Sequence, residues 1–399
     1  MNKILIVSYR FPPHNSMGSR RWAEMIPKLK EKYDVYVFAM NSEGDLEVDL
    51  PESNIMKVGQ LSNEMFDKDY NVSLFHKIIS LFIHEMRSID STWLSWYNKN
   101  KTKFLEYYDT VNPDIVVTTV GPYSSALFAK YLIKKGRKFK WVLDIRDAAS
   151  QFAEYTRNKF QQYFDEILDK YLCKEADLIT SAVGDYSIKQ LTEFYKKTVH
   201  QILNGFPKFK YNDYKQNNTK KVIYYAGRIY EYQEKSFFLL LNYLQNRDDY
   251  LLKIRLLGTQ KRRKYFIDYI KSNSIKNVQI LNPAEAKVIS KESAKADILL
   301  ILETIKLNSK SSLGVYTGKL FEYLPYQAPI LAICNKRICI SDVLHSTNRG
   351  MVIEKENQLN DFFANIDSYK LQNEKQIEQY SRDYQASSFI KLLEREFEF

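Results

Sequence analysis

The sequence predicts an α/β protein built from two doubly wound, Rossmann-like domains in tandem. Apolar runs of four to eight residues alternate with longer stretches of helical periodicity, which is the pattern of parallel strands connected by helices. A chain of 399 residues also exceeds the roughly 250–300 residues at which a single hydrophobic core stops growing. Two such domains facing each other would enclose a cleft, and ligands of these sheets bind beyond the carboxyl ends of the strands.

The strands and the domain bounds follow from these runs in chain order. Six strands are expected in the first half, at residues 3–8, 34–40, 114–119, 140–144, 177–181 and 200–203. Six more are expected in the second half, at residues 221–226, 251–258, 277–281, 297–302, 329–333 and 350–353. We therefore predict a first domain at 1–205, a linker at 206–220, a second domain at 221–380, and a final helix at 381–399 that packs back on the first domain.

Charge and cysteine content restrict the class of protein. The net charge of +11 is concentrated in residues 206–349, which carry 25 basic and 12 acidic side chains, whereas residues 1–205 carry 28 and 26. A basic excess fits nucleic acid, an anionic membrane surface or a polyanionic small substrate. Three cysteines provide neither a disulfide framework nor a metal motif. Because neither a signal peptide nor a membrane-spanning run is predicted, we expect a cytoplasmic protein.

Two segments could bring the chain to the inner face of the cell membrane. Residues 74–89 (Leu74 to Ile89) place six apolar side chains on one helical face, which suits core packing or a surface that faces lipid or acceptor. Residues 130–140 (Lys130 to Lys140) hold six basic residues and no acid, which suits a solvated helix end or contact with anionic headgroups. Peripheral membrane contact is predicted through these two segments.

The loop after the first strand, residues 8–21, can bind a ligand through its backbone. Its Ser-Met-Gly-Ser stretch can turn tightly before a helix at about residue 20, so that a ligand can approach Gly18 and Ser19. The loop is not GxGxxG, and no acid closes the second strand to hold a ribose, which disfavours an ordinary dinucleotide fold. His14 in this loop is either a polar loop residue or a base.

Three charged residues, Asp144, Arg146 and Asp147, cluster at the end of the predicted strand 140–144. Doubly wound folds place their chemistry at such strand ends. Charges are costly to bury there without a role. They therefore either pair with one another or act on a ligand, with Asp144 and Asp147 as candidate bases.

The most informative segment, residues 311–333, places a loop and a short helix between two buried strands. The loop spans Gly314 to Gly318, and the helix is predicted from about 319 to 324. Free N–H groups and the positive end of the helix dipole suit a phosphate. Lys319 adds a full charge there, and Glu322 could accept hydrogen bonds from the two hydroxyls of a ribose.

Two further cations follow strand 221–226. Arg228 comes directly after it, and Lys235 follows seven residues later. Both could converge on the same phosphates, Arg228 as a bidentate donor and Lys235 as a point charge.

Taken in order, these segments resemble the glycosyltransferases of the two-domain B-type fold (GT-B), especially the large family 4 of bacterial sugar transferases. The resemblance covers nearly the whole chain through FPP with its glycine-containing loop, PDIVVTT, DIRD, ADLITSAV, NGF, YYAGR, IRLLG, ADILLIL and GKLFEYL before PILA. It implies transfer of a sugar, with retention of configuration, from a nucleotide-diphosphate donor to a hydroxyl of a glycan or polyprenyl-linked acceptor. The family points to the assembly of capsule, O-antigen or exopolysaccharide.

The resemblance also implies roles for single residues. The donor diphosphate would be held in the second domain by Arg228, Lys235, Lys319, Gly314, Thr317 and Gly318. Glu322 would hold the ribose of the nucleotide. The loop on the acceptor or donor side of the first domain would consist of Gly18, Ser19 and Arg146. If these cations supply the charge, neither a metal nor another cofactor is needed, and the nucleotide sugar is a co-substrate.

The chain departs from the family pattern at two positions. Relatives carry a second Glu eight residues before the one that matches Glu322, and Gly314 stands here instead. Lys235 is followed by Ser236 where relatives usually have Gly. Only an inverting enzyme would need a dedicated base, for which Asp147, Asp144 and His14 are the candidates.

Other classes of protein stay open beside the transferase. A sugar-nucleotide 2-epimerase can share the fold and the phosphate site, and a non-catalytic protein could bind the nucleotide sugar alone. The run KRRKYF at residues 261–266 has the basic and aromatic character of a nucleic-acid site, but it is short and no recognition motif accompanies it. We therefore predict no nucleic-acid partner.

Overall fold

The computed structural model describes residues 1–59, 91–121, 123–146, 159–207, 219–245, 247–307, 313–314 and 316–398. Residue contacts divide the chain into unit 1, formed by Met1–Pro207 and Arg382–Phe399, and unit 2, formed by Lys208–Ser381. Segment 74–89, Asp147 and most of the predicted linker lie outside the described residues.

The described part of unit 1 holds a seven-stranded sheet in the order β3-β2-β1-β4-β5-β6-β7, with every neighbouring pair parallel. Its strands are β1 (Asn2–Ser8), β2 (Tyr33–Met40), β3 (Ile55–Val58), β4 (Ile115–Val120), β5 (Lys140–Ile145), β6 (Leu178–Ser181) and β7 (Val199–Gln201). Its helices are α1 (Met17–Leu29), α2 (Ser91–Val111), α3 (Ser124–Lys134), α4 (Lys159–Glu175), α5 (Asp185–Tyr195) and, at the end of the chain, α12 (Arg382–Phe397).

The described part of unit 2 holds a parallel six-stranded sheet in the order β10-β9-β8-β11-β12-β13. Its strands are β8 (Lys221–Gly227), β9 (Tyr250–Leu256), β10 (Val278–Leu281), β11 (Ile298–Leu302), β12 (Ile330–Ile333) and β13 (Gly350–Ile353). Its helices are α6 (Glu234–Leu244), α7 (Gln260–Ser272), α8 (Ala286–Ala294), α9 (Gly318–Tyr323), α10 (Ile340–Thr347) and α11 (Gln358–Ala364).

Both sheets are apolar because helices cover their two faces. In β1, Ile4 and Ile6 pack with α1 and α12 on one face, whereas Leu5 and Val7 pack with α2 and α3 on the other. All four side chains are fully buried. A strand that is buried on both sides has no polar alternation, so it appears in the sequence as a continuous apolar run.

The predicted fold class is confirmed, since both units are doubly wound parallel sheets. Each of the twelve predicted strands overlaps an observed strand. Strand β3 was missed because its sequence, IMKV, is short and lies at the sheet edge, where Ile55 and Met56 are half-buried and Lys57 is exposed. An edge strand lacks the long apolar run by which central strands are found.

Helix α12 packs on α1 although it follows unit 2 in the chain. The rings of Phe389 and Trp22 lie 6.1 Å apart, and the buried guanidinium of Arg382 forms an ion pair with Glu24. The backbone N–H of Arg382 also donates to the carbonyl of Phe206 at 2.9 Å. Within the described ranges, no helix combines the length and the apolar character needed to cross a membrane.

Candidate functional site

Each sheet has one point at which the strand order reverses, between β1 and β4 in unit 1 and between β8 and β11 in unit 2. Open α/β sheets bind their ligands just outside the carboxyl ends of the strands at this point. Charged residues lie at this position in both units.

In unit 2, Lys319 reaches from the first turn of α9 to the carboxyl end of β8. Its Nζ lies 4.9 Å from the ring centroid of Tyr225. A Cβ added to Gly227 would come within 2.7 Å of both Cε and Nζ, and Gly227 has a φ of +143°. A glycine is therefore needed at the end of β8, because any side chain would displace the lysine.

Two carboxylates, Glu303 and Glu322, lie close enough to act on the charge of Lys319. Burial lowers the pKa of Lys319, while the negative charges of Glu303 and Glu322 oppose that shift. The cation is thus stripped of much of its water without full compensation. A diphosphate placed beside Lys319 would supply the missing negative charge.

Glu303 was missed in the sequence analysis, although it ends the apolar run ADILLILE directly after β11. Its Oε1 accepts a hydrogen bond from Nε2 of Gln233 at 3.2 Å, and its backbone carbonyl accepts one from the hydroxyl of Ser236. Ser236 is fully buried. Ser236 therefore ties the start of α6 to the end of β11. An acid at the end of a buried strand was the available signal.

The other two predicted cations of unit 2 are exposed. Arg228 follows Gly227 directly, and its carbonyl accepts a hydrogen bond from the hydroxyl of Tyr225 at 2.5 Å. Lys235 lies in the first turn of α6 and forms no hydrogen bond or ion pair with a described residue. The structure thus places Arg228 beside the Gly227–Lys319 contact and leaves Lys235 on the surface.

The loop before α9 ends in the residues predicted to cap a phosphate. Gly314 is buried, and Thr317 precedes α9 in an extended conformation without accepting a capping hydrogen bond through its side chain. Gly318 is the first residue of α9 and is partly buried, as is Glu322 one turn later. Helix α9 begins one residue before the predicted position.

In unit 1, Asp144 is paired with Arg21. An Nη2–Oδ1 distance of 3.1 Å joins these two fully buried side chains. The hydroxyls of Thr180 and Thr119 donate to Oδ1 and Oδ2 of Asp144 at 2.9 and 3.1 Å. Arg21 also donates to the carbonyl of Leu203 at 2.8 Å. The pair therefore connects α1 with the centre of the sheet.

This pairing corrects the interpretation of Asp144 as a candidate base. The carboxylate has no exposed surface, and both of its oxygens already accept hydrogen bonds. It lies within β5, one residue before the end of the strand, and its ion-pair partner is Arg21 rather than Arg146. A substrate hydroxyl cannot approach it. Asp147 lies outside the described residues, so its candidacy stays a prediction.

Arg146 lies at the end of β5, against the first turn of α1. Its Nη2 donates to the carbonyl of Gly121 at 3.1 Å, and its buried Nε has no partner among the described residues. A Cβ on Gly18 would overlap the guanidinium of Arg146. Gly18 is therefore needed to make room for this arginine, and the approach of a ligand to Gly18 stays a prediction.

Arg10, just after β1, was missed in the sequence analysis. It is partly buried, and burial together with the positive charge of Arg146 lowers its pKa. His14 is also partly buried, and its pKa is lowered by burial and then by the charge of Arg10. Nδ1 of His14 lies 3.5 Å from the hydroxyl of the fully buried Ser19. The positive charges of Arg10 and Arg146 therefore act on one another near this loop, which the spacing of these residues along the chain could not reveal.

Two further features do not contribute to these sites. Among the described residues, no group of three His, Cys, Asp or Glu side chains could hold a metal ion. A cavity of about 380 Å³ in unit 2 lies between β8, β9, β10 and α8, where Arg255 and Glu292 form an ion pair. None of the predicted site residues lines it.

No protein-family model and no curated protein matches the chain. Solved structures, however, match over nearly its whole length. The catalytic domain of starch synthase IV from Arabidopsis thaliana, bound to ADP and acarbose, is 10% identical with a TM-score of 0.64 and full coverage of both chains. The alpha,alpha-trehalose 6-phosphate synthase from Burkholderia multivorans is 11% identical with a TM-score of 0.65 and 99% coverage of both chains.

A Listeria monocytogenes protein described as a UDP-N-acetylglucosamine 2-epimerase is also similar. It is 13% identical with a TM-score of 0.55, and the match covers 99% of this chain and 96% of that one. Identities this low show the fold alone. The fold is the two-domain B-type fold that glycosyltransferases share with 2-epimerases.

Proposed function

We propose that the protein transfers a sugar from a nucleotide-diphosphate donor to a hydroxyl of a glycan or lipid-linked glycan. The main observation behind this proposal is the position of Lys319, which lies against Gly227 at the switch point of unit 2. It is a desolvated cation with Glu303 and Glu322 beside it. Arg228 follows Gly227 and is free to turn toward the same place. The fold shared with starch synthase and trehalose 6-phosphate synthase supports this reading.

The residues of unit 2 would act on the leaving nucleoside diphosphate. In a retaining transfer, the bond from the sugar C1 to the phosphate oxygen breaks as the acceptor oxygen bonds to C1. The departing phosphate oxygen takes the acceptor's proton. A fixed cation at such a site contributes about 2.7–4 kcal/mol to stabilising the charge that develops, and Lys319 is suited to this role. Arg228 and Lys235 are exposed and would have to turn toward the diphosphate to add to it. Glu322 is suited to the ribose, and the N–H groups of Thr317 and Gly318 to the phosphates.

An inverting transfer would need a base in unit 1. His14 suits that role better than Asp144, because its lowered pKa keeps the imidazole neutral near pH 7 and able to accept a proton. Asp147 is the other candidate.

The proposed acceptor places the reaction at a membrane surface, in the assembly of a surface polysaccharide. Within residues 130–140, Lys130 is engaged by Glu175 at 2.9 Å and Arg137 by Asp109, whereas Lys134, Lys135 and Lys138 are exposed. Binding to anionic vesicles that is lost when these three lysines are neutralised would support the membrane contact. No binding at low salt would contradict it.

The function is tested by donor binding and turnover. Thermal-shift measurements with ADP, UDP, GDP and their sugars should identify the base, and Arg228→Ala and Glu322→Ala should abolish transfer while the fold persists. Lys264→Ala, which removes an exposed charge elsewhere in unit 2, is the matched control and should leave transfer unchanged. Full activity in both site variants would contradict the assignment.

A 2-epimerase is the second candidate, because the Listeria protein shares the fold. An epimerase would convert its nucleotide sugar without an acceptor. Incubation of the purified protein with the donor alone, followed by separation of the sugar epimers, distinguishes the two activities.

A further inference from the structure

Three arginines converge at the carboxyl ends of β1, β4 and β5 in unit 1. Arg10 follows β1, Arg146 follows β5, and Arg21 lies one turn into α1. Val7 pairs with Thr118, and Thr118 with Leu143, so Arg10 and Arg146 each follow three residues later, at the same level of the sheet edge. Arg21 reaches this edge through its ion pair with Asp144, and the charge of Arg146 lowers the pKa of both Arg10 and Arg21. Like charges in a partly buried region repel, so this arrangement costs stability unless an anion relieves it.

Among the described residues, the carboxylate that acts on this cluster is Asp144, and it already forms an ion pair. Asp144 pairs with Arg21 at 3.1 Å, and that pair is fully buried. Arg10 and Arg146 have no ion-pair partner among the described residues, and the buried Nε of Arg146 has no hydrogen-bond acceptor there. The described cluster therefore carries two uncompensated positive charges, next to a neutral His14.

We propose that Arg10 and Arg146 form a binding site for a phosphoryl group carried by the acceptor. Two guanidinium groups present planar forks of N–H donors, which match phosphate oxygens in pairs. Their charge matches a phosphate monoester, which carries about −1.5 to −2 at pH 7. The carbonyl of Gly121 accepts a hydrogen bond from Nη2 of Arg146, and Gly18 leaves room for the guanidinium against α1. This assignment of the group to the acceptor rests on the proposed transferase function.

The test measures binding of inorganic phosphate to the full chain by thermal shift and calorimetry, with chloride added to keep the ionic strength constant. We expect Arg10→Gln and Arg146→Gln each to weaken phosphate binding at least tenfold, and Arg10→Lys to restore part of it. Lys103→Gln removes an exposed charge of unit 1 and is the matched control, which should bind phosphate like the parent protein. The same melts report whether each variant is folded.

Three results would overturn the site in unit 1. Phosphate binding unchanged in both arginine variants would do so, as would an equal loss in Lys103→Gln, since that would indicate general charge attraction. Phosphate binding that disappears in Lys319→Gln but persists in Arg10→Gln would show that the phosphate binds in unit 2. Nucleoside diphosphate binding is measured in parallel. Its absence from the parent protein would contradict the proposed function while leaving the phosphate result intact.

A second set of ligands identifies the source of the phosphoryl group. A hexose 6-phosphate, a short-chain prenyl diphosphate and a hexuronate are compared in the parent protein and in Arg146→Gln. Tight binding of either phosphate-bearing ligand that depends on Arg146 supports the proposal. If the hexose 6-phosphate binds more tightly, the acceptor carries a sugar phosphate; if the prenyl diphosphate does, it carries a lipid diphosphate. Tighter binding of the hexuronate would show that the site recognises a carboxylate rather than a phosphate, and would contradict the proposal.

Discussion

Asp144 is a fully buried charge and Lys319 a partly buried one, each at the switch point of a sheet, and their surroundings differ. Asp144 receives hydrogen bonds from Arg21, Thr119 and Thr180, so its charge is satisfied within the protein. Lys319 has a lowered pKa because its burial outweighs the attraction of the nearby carboxylates. At the scale of single residues, the first charge therefore belongs to the fold and the second is available to a ligand.

Removing the carboxylate of Asp144 should destabilise unit 1 strongly. Asp144→Ala leaves the guanidinium of Arg21 buried without its counter-ion, which costs about 3–5 kcal/mol in the free energy of unfolding. Asp144→Asn keeps acceptors for Arg21 and Thr180 and should cost less. Urea denaturation of the two variants measures the difference. An Asp144→Asn protein that is stable but inactive would instead point back to a catalytic role.

Replacing Lys319 should separate stability from donor binding. Lys319→Met removes a desolvated charge and keeps the volume of the side chain, so we expect a free energy of unfolding equal to or above that of the parent protein. Transfer should fall about 100-fold or more, because one fixed cation at the diphosphate is lost. Chemical denaturation and steady-state kinetics provide the two readouts. Loss of stability with unchanged kcat/KM would contradict the assignment.

The lowered pKa of Lys319 predicts opposite pH dependences for stability and for binding. Between the folded pKa and the ordinary value of 10.5, the unfolded chain binds more protons than the folded one. The contribution of Lys319 to the free energy of unfolding therefore rises with pH across that window. Affinity for a nucleoside diphosphate should fall in the same window, because the ammonium loses its charge. Both trends should be absent from Lys319→Met.

At the scale of elements, the start of helix α1 depends on Arg146. Gly18 is the second residue of α1, and the guanidinium of Arg146 occupies the space that a side chain at this position would need. Glycine is a poor helix former, so its presence inside a helix needs a packing reason. The packing reason is Arg146, because its side chain extends from the end of β5 past α1 at Gly18.

Gly18→Ala should therefore weaken phosphate binding with little cost in stability. The added methyl displaces a flexible side chain rather than backbone, and alanine favours the helix by roughly 0.8–1.0 kcal/mol over glycine. Calorimetry with inorganic phosphate should show an affinity loss similar to that of Arg146→Gln. The double variant Gly18→Ala/Arg146→Gln should bind no worse than Arg146→Gln alone, because both changes act on one contact. Additive losses would show that Gly18 acts independently of Arg146.

At the scale of the whole molecule, unit 2 is an insertion into unit 1. The chain leaves unit 1 after Pro207 and returns at Arg382, whose N–H bonds to the carbonyl of Phe206. Phe389 and Leu393 of α12 are buried in the core formed by α1 and the unit 1 sheet. Burial of each such side chain contributes about 1.5–3 kcal/mol, a large fraction of the 5–15 kcal/mol that stabilises a typical domain.

A chain of residues 1–207 alone should therefore fail to fold. Joining Pro207 to residues 382–399 through a short Gly/Ser linker should restore a cooperative unit, because the two ends are already hydrogen-bonded neighbours. Circular dichroism with thermal melting distinguishes the two proteins. Phe389→Ala in the joined chain should cost about 3–5 kcal/mol. A stable, cooperative 1–207 fragment would show that α12 is dispensable.

Most of the fold could be predicted from the sequence, whereas only part of the candidate site could. Lys319 and Glu322 were predicted together because they lie one turn apart on one short helix. Glu303 and Arg10 were missed, since each is a single charge after an apolar run and gains its significance only from a neighbour elsewhere in the chain. Asp144 was misinterpreted for the same reason, because its partner Arg21 is 123 residues away.

By itself, the sequence determined the alternation of strands and helices and the two doubly wound sheets, and it predicted a phosphate site at the loop before α9. These properties depend on residues a few positions apart, so hydrophobic periodicity and local spacing record them. Only the tertiary structure decided which charges neutralise one another and which have no counter-ion among the described residues. That outcome depends on distances between Arg10, Arg21, Asp144 and Arg146, and those distances exist only once β1, β5 and α1 have packed together.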